Sequence, residues 1–179
     1  MRLETDIYRT IDLFYMPINH KTENSTNSVV LDAKDLAILQ LLQDNARITV
    51  KEISEKIHLS TTPVHERIKR MEESGVIRQY VTLLDAEKVR KGLTVICYVS
   101  LKQHSKEAGS KFIQSILQMP EVVECYNISG EFDFMLKIVA ENMNSYYDFH
   151  VNKLGEIDNM GNIQSVFVMG VIKQTHRLV

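Results

Sequence analysis

The chain has 179 residues, 44% of them hydrophobic and 25% charged, with a formal net charge of −2. These ordinary values exclude wholesale disorder and leave room for two compact units, since a domain typically takes about 100 to 200 residues. The near-neutral balance excludes indiscriminate coating of nucleic acid but permits a focused basic patch.

Residues 1–30 read as a flexible extension. Leu3, Ile7, Ile11 and Phe14 have helical spacing, but a helix this short is marginal without packing, and the polar run from His20 to Ser28 reads as a linker. Asp6 and Asp12 interrupt the apolar stretch that an export signal requires. No apolar run reaches the roughly 20 residues of a membrane-spanning helix. The expectation is therefore a cytoplasmic protein without membrane contact.

Residues 31–80 carry dense helical periodicity. Asp32 is a plausible N-cap, followed by Leu36, Leu39 and Leu42 along one face. Thr49 and Glu52 form a capping box for a second helix with Val50, Ile53 and Ile57 as its apolar stripe. After His58 and Leu59 a third helix begins, capped by Ser60 or Thr62, with Pro63 in its first turn. Val64, Ile68 and Met71 bury one side of it, and Gly75 ends it. Three short helices with a tight turn between the last two have the arrangement of a helix-turn-helix.

The stretch from Val76 to Leu84 is strand-like, and 81–91 is assigned as a linker strand. Residues 92–179 then follow another period. Leu93–Leu101 is a strand and Ser105–Leu117 a helix; Val122–Ile128 and Phe132–Val139 are strands separated by a turn at Gly130. A helix from Met143 to Leu154 and a last strand over Ile163–Lys173 complete βαββαβ, the ferredoxin-like pattern. The fold class is thus α+β, a winged-type helix-turn-helix followed by this second domain. Val95, Ile96, Cys97, Tyr98 and Val99 put apolar groups on both faces of the sheet. Two helices cover one face only, and each square ångström of apolar surface left wet forfeits about 25 cal/mol. A homodimer joined through the other face is expected.

The third helix presents Ser60, Thr61, Thr62, His65, Arg67, Lys69 and Arg70 away from its apolar stripe, with Arg47 and Lys51 nearby. Short hydroxyl residues at a helix start approach base edges, while Arg and Lys reach bases or phosphates, so double-stranded DNA is the expected partner. Glu66 weakens this basic face. The loop Gly130–Glu131–Phe132–Asp133 has two readings: a turn glycine followed by a surface carboxylate, or a site where the carboxylate receives an ammonium group. Cys97 and Cys125 are expected to be buried, reduced thiols, and with scattered histidines and no nucleophile elbow or phosphate loop, no metal, cofactor or enzymatic centre is expected.

From Leu31 to Val179 the sequence resembles the leucine-responsive and asparagine-operon regulators, the Lrp/AsnC family. The stretch LDAKDLAILQLLQDNARITVKEISEKIHLSTTPVHERIKRMEESGVIRQY resembles that family's DNA-binding domain. ECYNISGEFDFMLKIV is similar to its effector-domain signature. The resemblance implies that Gly130 and Asp133 help to form an amino-acid pocket at subunit contacts. It also implies that Ser165, Val166 and Phe167 lie near that pocket, and that dimers assemble into higher rings such as octamers. His58 departs from the pattern, which has glycine in the turn; it is expected either to be tolerated otherwise or to adopt a left-handed conformation. The reading is a transcription regulator controlled by an amino acid. The alternative is a stand-alone amino-acid-binding module whose N-terminal helices make protein contacts.

Overall fold

The structure is a computed structural model that describes residues 30–179. The marginal helix and linker expected within residues 1–29 lie outside the described residues. The chain divides into two compact units, one running through Gln79 and including Val179, the other from Tyr80 to Leu178.

The first unit holds α1 (Ala33–Asp44), α2 (Val50–Ile57) and α3 (Thr61–Glu73). Both expected N-caps form. The Asp32 side chain accepts the Lys34 and Asp35 N–H groups, and Asp35 returns a carboxylate to the Asp32 N–H, closing a capping box; Thr49 and Glu52 close another. Ser60 caps α3 by position but accepts no backbone N–H through its side chain. Ile38, Ile53, Ile57, Val64 and Met71 form the core. On α1 the inward face differs from the expected stripe. Ile38 and Asp35 are fully buried, whereas Leu36 is exposed and Leu39 and Leu42 only line the edge.

His58 has φ 54°, the left-handed conformation that lets the chain turn out of α2, and the Leu59 N–H then reaches the Ser54 carbonyl at 3.1 Å. Lys34 donates to the Ile57 carbonyl at 2.6 Å, placing a cation at the negative end of α2. At the end of α3, Gly75 with φ 75° allows the Ile77 N–H to return to the Met71 carbonyl at 2.9 Å.

The second unit holds β1 (Leu93–Leu101), α4 (Lys106–Leu117), β2 (Val122–Asn127), β3 (Phe134–Ala140), α5 (Met143–Phe149), a π-helical turn (His150–Leu154) and β4 (Met160–Phe167). The antiparallel sheet has the order β2-β3-β1-β4, which is the ferredoxin-like topology. Register places Val95, Cys97 and Val99 opposite Ile138, Leu136 and Phe134, all buried with Phe112, Ile116, Phe149 and Leu154 from the helical layer. The other face carries Ile96, Tyr98, Met135, Val139 and Val166 with the Lys137–Glu124 ion pair of 2.7 Å. No helix of the described residues covers it.

Four sequence expectations need correction. The linker strand over 81–91 does not form: residues 81–85 are unpaired coil, and the chain turns at Ala86–Arg90. A strand needs a neighbour for its ladder, and this segment has none among the described residues, where Val81, Leu83 and Leu84 are exposed. The last strand lies at Met160–Phe167 rather than Ile163–Lys173: its register brings Phe167 opposite Val95, and the Val168 N–H to Thr94 carbonyl bond of 3.0 Å follows it near the start of β1. Met169 and Ile172 are consequently 99% exposed. The helix expected as one piece from Met143 to Leu154 changes to π-helical winding at His150. Cys97 is buried as expected, and burial pushes its thiol up to about 11, but Cys125 is exposed on the edge strand β2.

Candidate DNA interface and effector loop

In the three-helix unit, the outward face of α3 carries Thr61, Thr62, His65 and Lys69, all exposed, with Ser60 exposed at its cap. Glu66 and Glu73 share this face, and Glu73 lies 3.8 Å from Lys69. Arg47 is exposed in the turn between α1 and α2. Hydroxyl groups at the start of the helix and a cation two turns on provide short-range and long-range polar contacts on one side.

Arg67, half-buried, and Arg70, exposed, lie on the same helix and are held by carboxylates of α1. Arg67 donates through Nη1 to Asp32 Oδ2 at 2.6 Å and to Asp35 Oδ1 at 2.8 Å, and Arg70 donates through Nη2 to Asp35 Oδ2 at 2.6 Å. The Asp35 side chain is only 1% exposed. Its remaining acceptor capacity takes the Asp32 N–H at 3.0 Å, so the buried carboxylate is satisfied by one backbone and two guanidinium donors. Burial pushes the Asp35 carboxyl up, but the Asp32 N–H, the Arg67 hydrogen bond and the Arg70 charge outweigh it and hold it below its ordinary value. The Asp35 and Lys34 N–H groups and the Arg67 guanidinium likewise lower Asp32. Stripping a partner from a fully buried pair costs roughly 3–5 kcal/mol, and less here because both arginines are partly exposed. Asp35 is the buried, ion-paired residue that sequence reasoning missed. Its signal is present: an acidic pair at Asp32 and Asp35 faces a basic pair at Arg67 and Arg70, each at helical spacing.

In the second unit, Gly130 has φ 132°, open to glycine and strained for other residues, and it turns the chain from β2 into the loop before β3. Asp133 closes this loop. Its Oδ2 accepts the Leu101 N–H at 2.7 Å, its Oδ1 lies 3.2 Å from His104 Nδ1, and its backbone N–H donates to the Val99 carbonyl at 2.9 Å. Phe132 of the same loop packs against Tyr98 on the uncovered sheet face, with ring centroids 5.5 Å apart.

Ser165, Val166 and Phe167 lie on β4. The Ser165 and Tyr146 hydroxyls are 2.6 Å apart, Phe167 meets the Tyr146 ring edge-on at 5.4 Å, and Val166 points to the uncovered face beside Ile96. Within one chain these residues do not converge with Asp133. Phe134, next to Asp133, pairs with Val99 whereas Phe167 pairs with Val95. Four residues of strand separate those positions by about 13 Å. A polar cleft of about 800 Å³ between α4 and residues 153–159, lined by Lys111, Gln114, Lys153 and Asp158 among others, includes none of the five. Among the described residues, no group of three or more His, Cys, Asp or Glu side chains could hold a metal ion.

A helix-turn-helix unit with an exposed third helix, followed by a ferredoxin-like unit, fits the class of two-domain DNA-binding regulators. Residues 31–78 match the family described as winged helix-turn-helix DNA-binding, and residues 94–178 match the Lrp/AsnC ligand binding domain. The chain is 32% identical over 149 residues to the DNA-binding transcriptional activator DecR of Escherichia coli, covering 83% of this chain and 98% of that protein. It is 37% identical over 145 residues to the leucine-responsive regulatory protein of Rhizobium meliloti, covering 81% and 93%. Among solved structures, a transcriptional regulator from Neisseria meningitidis in complex with L-Met superposes with a TM-score of 0.80 at 37% identity, covering 84% and 97%. The chain belongs to the Lrp/AsnC family of DNA-binding transcription regulators, a family of regulators rather than enzymes.

Proposed function

We propose that this regulator reads a specific DNA site through α3, answers to an amino acid, acts in the cytoplasm, and works as a homodimer capable of assembling into octamer-like rings. The exposed row Thr61, Thr62, His65 and Lys69 carries the first part, with Ser60 and Arg47 flanking it. Two copies related by a two-fold axis would set their α3 helices into successive major grooves, roughly 34–36 Å apart, on a pseudo-palindromic site.

The uncovered sheet face supports the dimer: Ile96, Tyr98, Met135, Val139 and Val166 form an apolar surface that a second copy would remove from water. Phe132 and Val166 both reach that side, which supports a pocket completed by a neighbouring subunit. The amino-acid effector is supported by the relative solved with L-Met and the relative named leucine-responsive. In this pocket Gly130 gives the loop its turn, and Asp133 offers the carboxylate oxygen that His104 approaches, while its other oxygen fastens the loop to β1. Val166 would line the neighbouring wall, with Ser165 and Phe167 behind it on the side of Tyr146.

A thermal-shift series against the twenty amino acids tests the effector assignment, because a ligand bound to the native state raises apparent stability. One or a few amino acids are expected to raise Tm. Asp133→Asn keeps an acceptor for the Leu101 N–H while removing the charge, and is expected to abolish that rise; a full rise in this variant removes Asp133 from the pocket.

A further inference from the structure

Resting on the DNA-binding reading above, we propose that Asp35 is the positioning residue of the reading helix, with Arg67 and Arg70 serving as its anchors rather than as phosphate contacts. The apolar seat of α3 is narrow. Val64 and Met71 are its fully buried side chains, and Ser60 provides no side-chain cap. A helix held along one stripe can rock about its own axis. Because a helix with its side chains is about 10–12 Å across, a rotation of about 10° moves a side-chain tip by roughly 1 Å. That displacement is enough to take a donor out of hydrogen-bonding range of a base edge.

The two guanidiniums prevent this rocking. Arg67 and Arg70 lie three residues apart on α3, and both end on the Asp35 carboxylate of α1, at 2.8 and 2.6 Å. Arg67 also reaches Asp32, the capping residue of α1. A two-pronged attachment to one buried point fixes rotation as a single contact does not. For Arg70 to bind a phosphate instead, it would leave a carboxylate that is 1% exposed without that partner. Cation contacts with the DNA backbone then fall to Lys69 and Arg47.

The test measures binding of wild type, Lys69→Gln, Arg70→Gln and Asp35→Asn to two duplexes across a salt series: one enriched by the wild type from a random library, and a scrambled one of equal composition. It is run where circular dichroism shows each variant folded. Arg70→Gln leaves the Arg67–Asp35 pair in place, so it remains informative if Asp35→Asn fails to fold. Lys69→Gln is expected to flatten the dependence of log K on log salt by about one unit with the discrimination between duplexes kept. Arg70→Gln and Asp35→Asn are expected to leave that slope unchanged while discrimination falls about tenfold, the loss of one good base contact. A slope lowered by about one in Arg70→Gln with discrimination intact would make Arg70 a phosphate contact and overturn the inference. Equal weakening on both duplexes, with slope and ratio unchanged, would reduce Asp35 to a purely structural role and overturn it as well. Wild-type protein that binds neither duplex would overturn the DNA reading itself.

Discussion

Asp35 shows how far a single side chain can depart from what its type suggests. A carboxylate at the start of α1 is expected to face water, yet it lies in the interior because Arg67 and Arg70 meet it there. Its pKa is lowered on folding, so it stabilises the folded chain fully above the unfolded value of about 3.9, and that contribution is lost as pH falls through the lower folded value. Asp32 and Glu52 are lowered as well and act in the same direction. Acid unfolding of the three-helix unit is therefore expected to set in below about pH 4. Asp35→Asn is expected to show a weaker pH dependence there, along with lower stability at pH 7; tryptophan being absent, far-ultraviolet circular dichroism is the suitable probe.

His58 holds a left-handed conformation that costs an ordinary L-residue roughly 1–2 kcal/mol. His58→Gly relieves that strain but frees the unfolded chain, so a net gain of about 0.5 kcal/mol is expected in urea denaturation. Loss of stability would mean that the histidine side chain makes a compensating contact. The sequence marked this position through its departure from the glycine of related turns. It also marked the caps Asp32 and Thr49, since their partners lie three residues on. Asp35 escaped because the pairing that makes its burial tolerable joins residues more than thirty positions apart.

At the scale of elements, the helices were legible from their period of 3.6 and the ferredoxin-like pattern from the succession of apolar, β-branched runs and helices. The ends of strands were not, since a ladder lasts only while both partners keep pairing: β4 ends two residues short of the start of β1, and 81–91 has no ladder partner among the described residues. Within the sheet, Gly161 marks where β4 comes close to β1. A Cβ there would lie 2.9 Å from the Ser100 carbonyl oxygen and 3.2 Å from the Leu101 carbonyl carbon, both backbone atoms. Gly161→Ala is expected to cost roughly 1–3 kcal/mol, read from thermal denaturation. The uncovered face yields a separate expectation. Ile96 lies at its centre beside Lys137 and Val166. Ile96→Lys should produce a folded monomer in sedimentation equilibrium, with the buried face of Val95, Cys97 and Val99 undisturbed. A dimer of wild-type strength in this variant would place the interface elsewhere.

At the scale of the whole molecule, the division of labour follows from chemistry that each unit contains on its own. The first presents hydroxyl and cationic groups along an exposed helix; the second presents a glycine-hinged loop and an apolar sheet face. The DNA candidates in the sequence formed one group; in the structure Thr61, Thr62, His65 and Lys69 are exposed, whereas Arg67 and Arg70, part-exposed, are also ion-paired to Asp35. The effector candidates are spread across a single sheet, so the proposed pocket takes residues from a second subunit. The most direct test is equilibrium binding of the full chain to its selected duplex, with wild type set against the combined Thr61→Ala, Thr62→Ala, Lys69→Ala variant. Wild type should prefer that duplex over a scrambled one with affinity falling steeply with salt, and the variant should lose the preference while remaining folded; a variant that discriminates as well as wild type would show that α3 does not read the DNA.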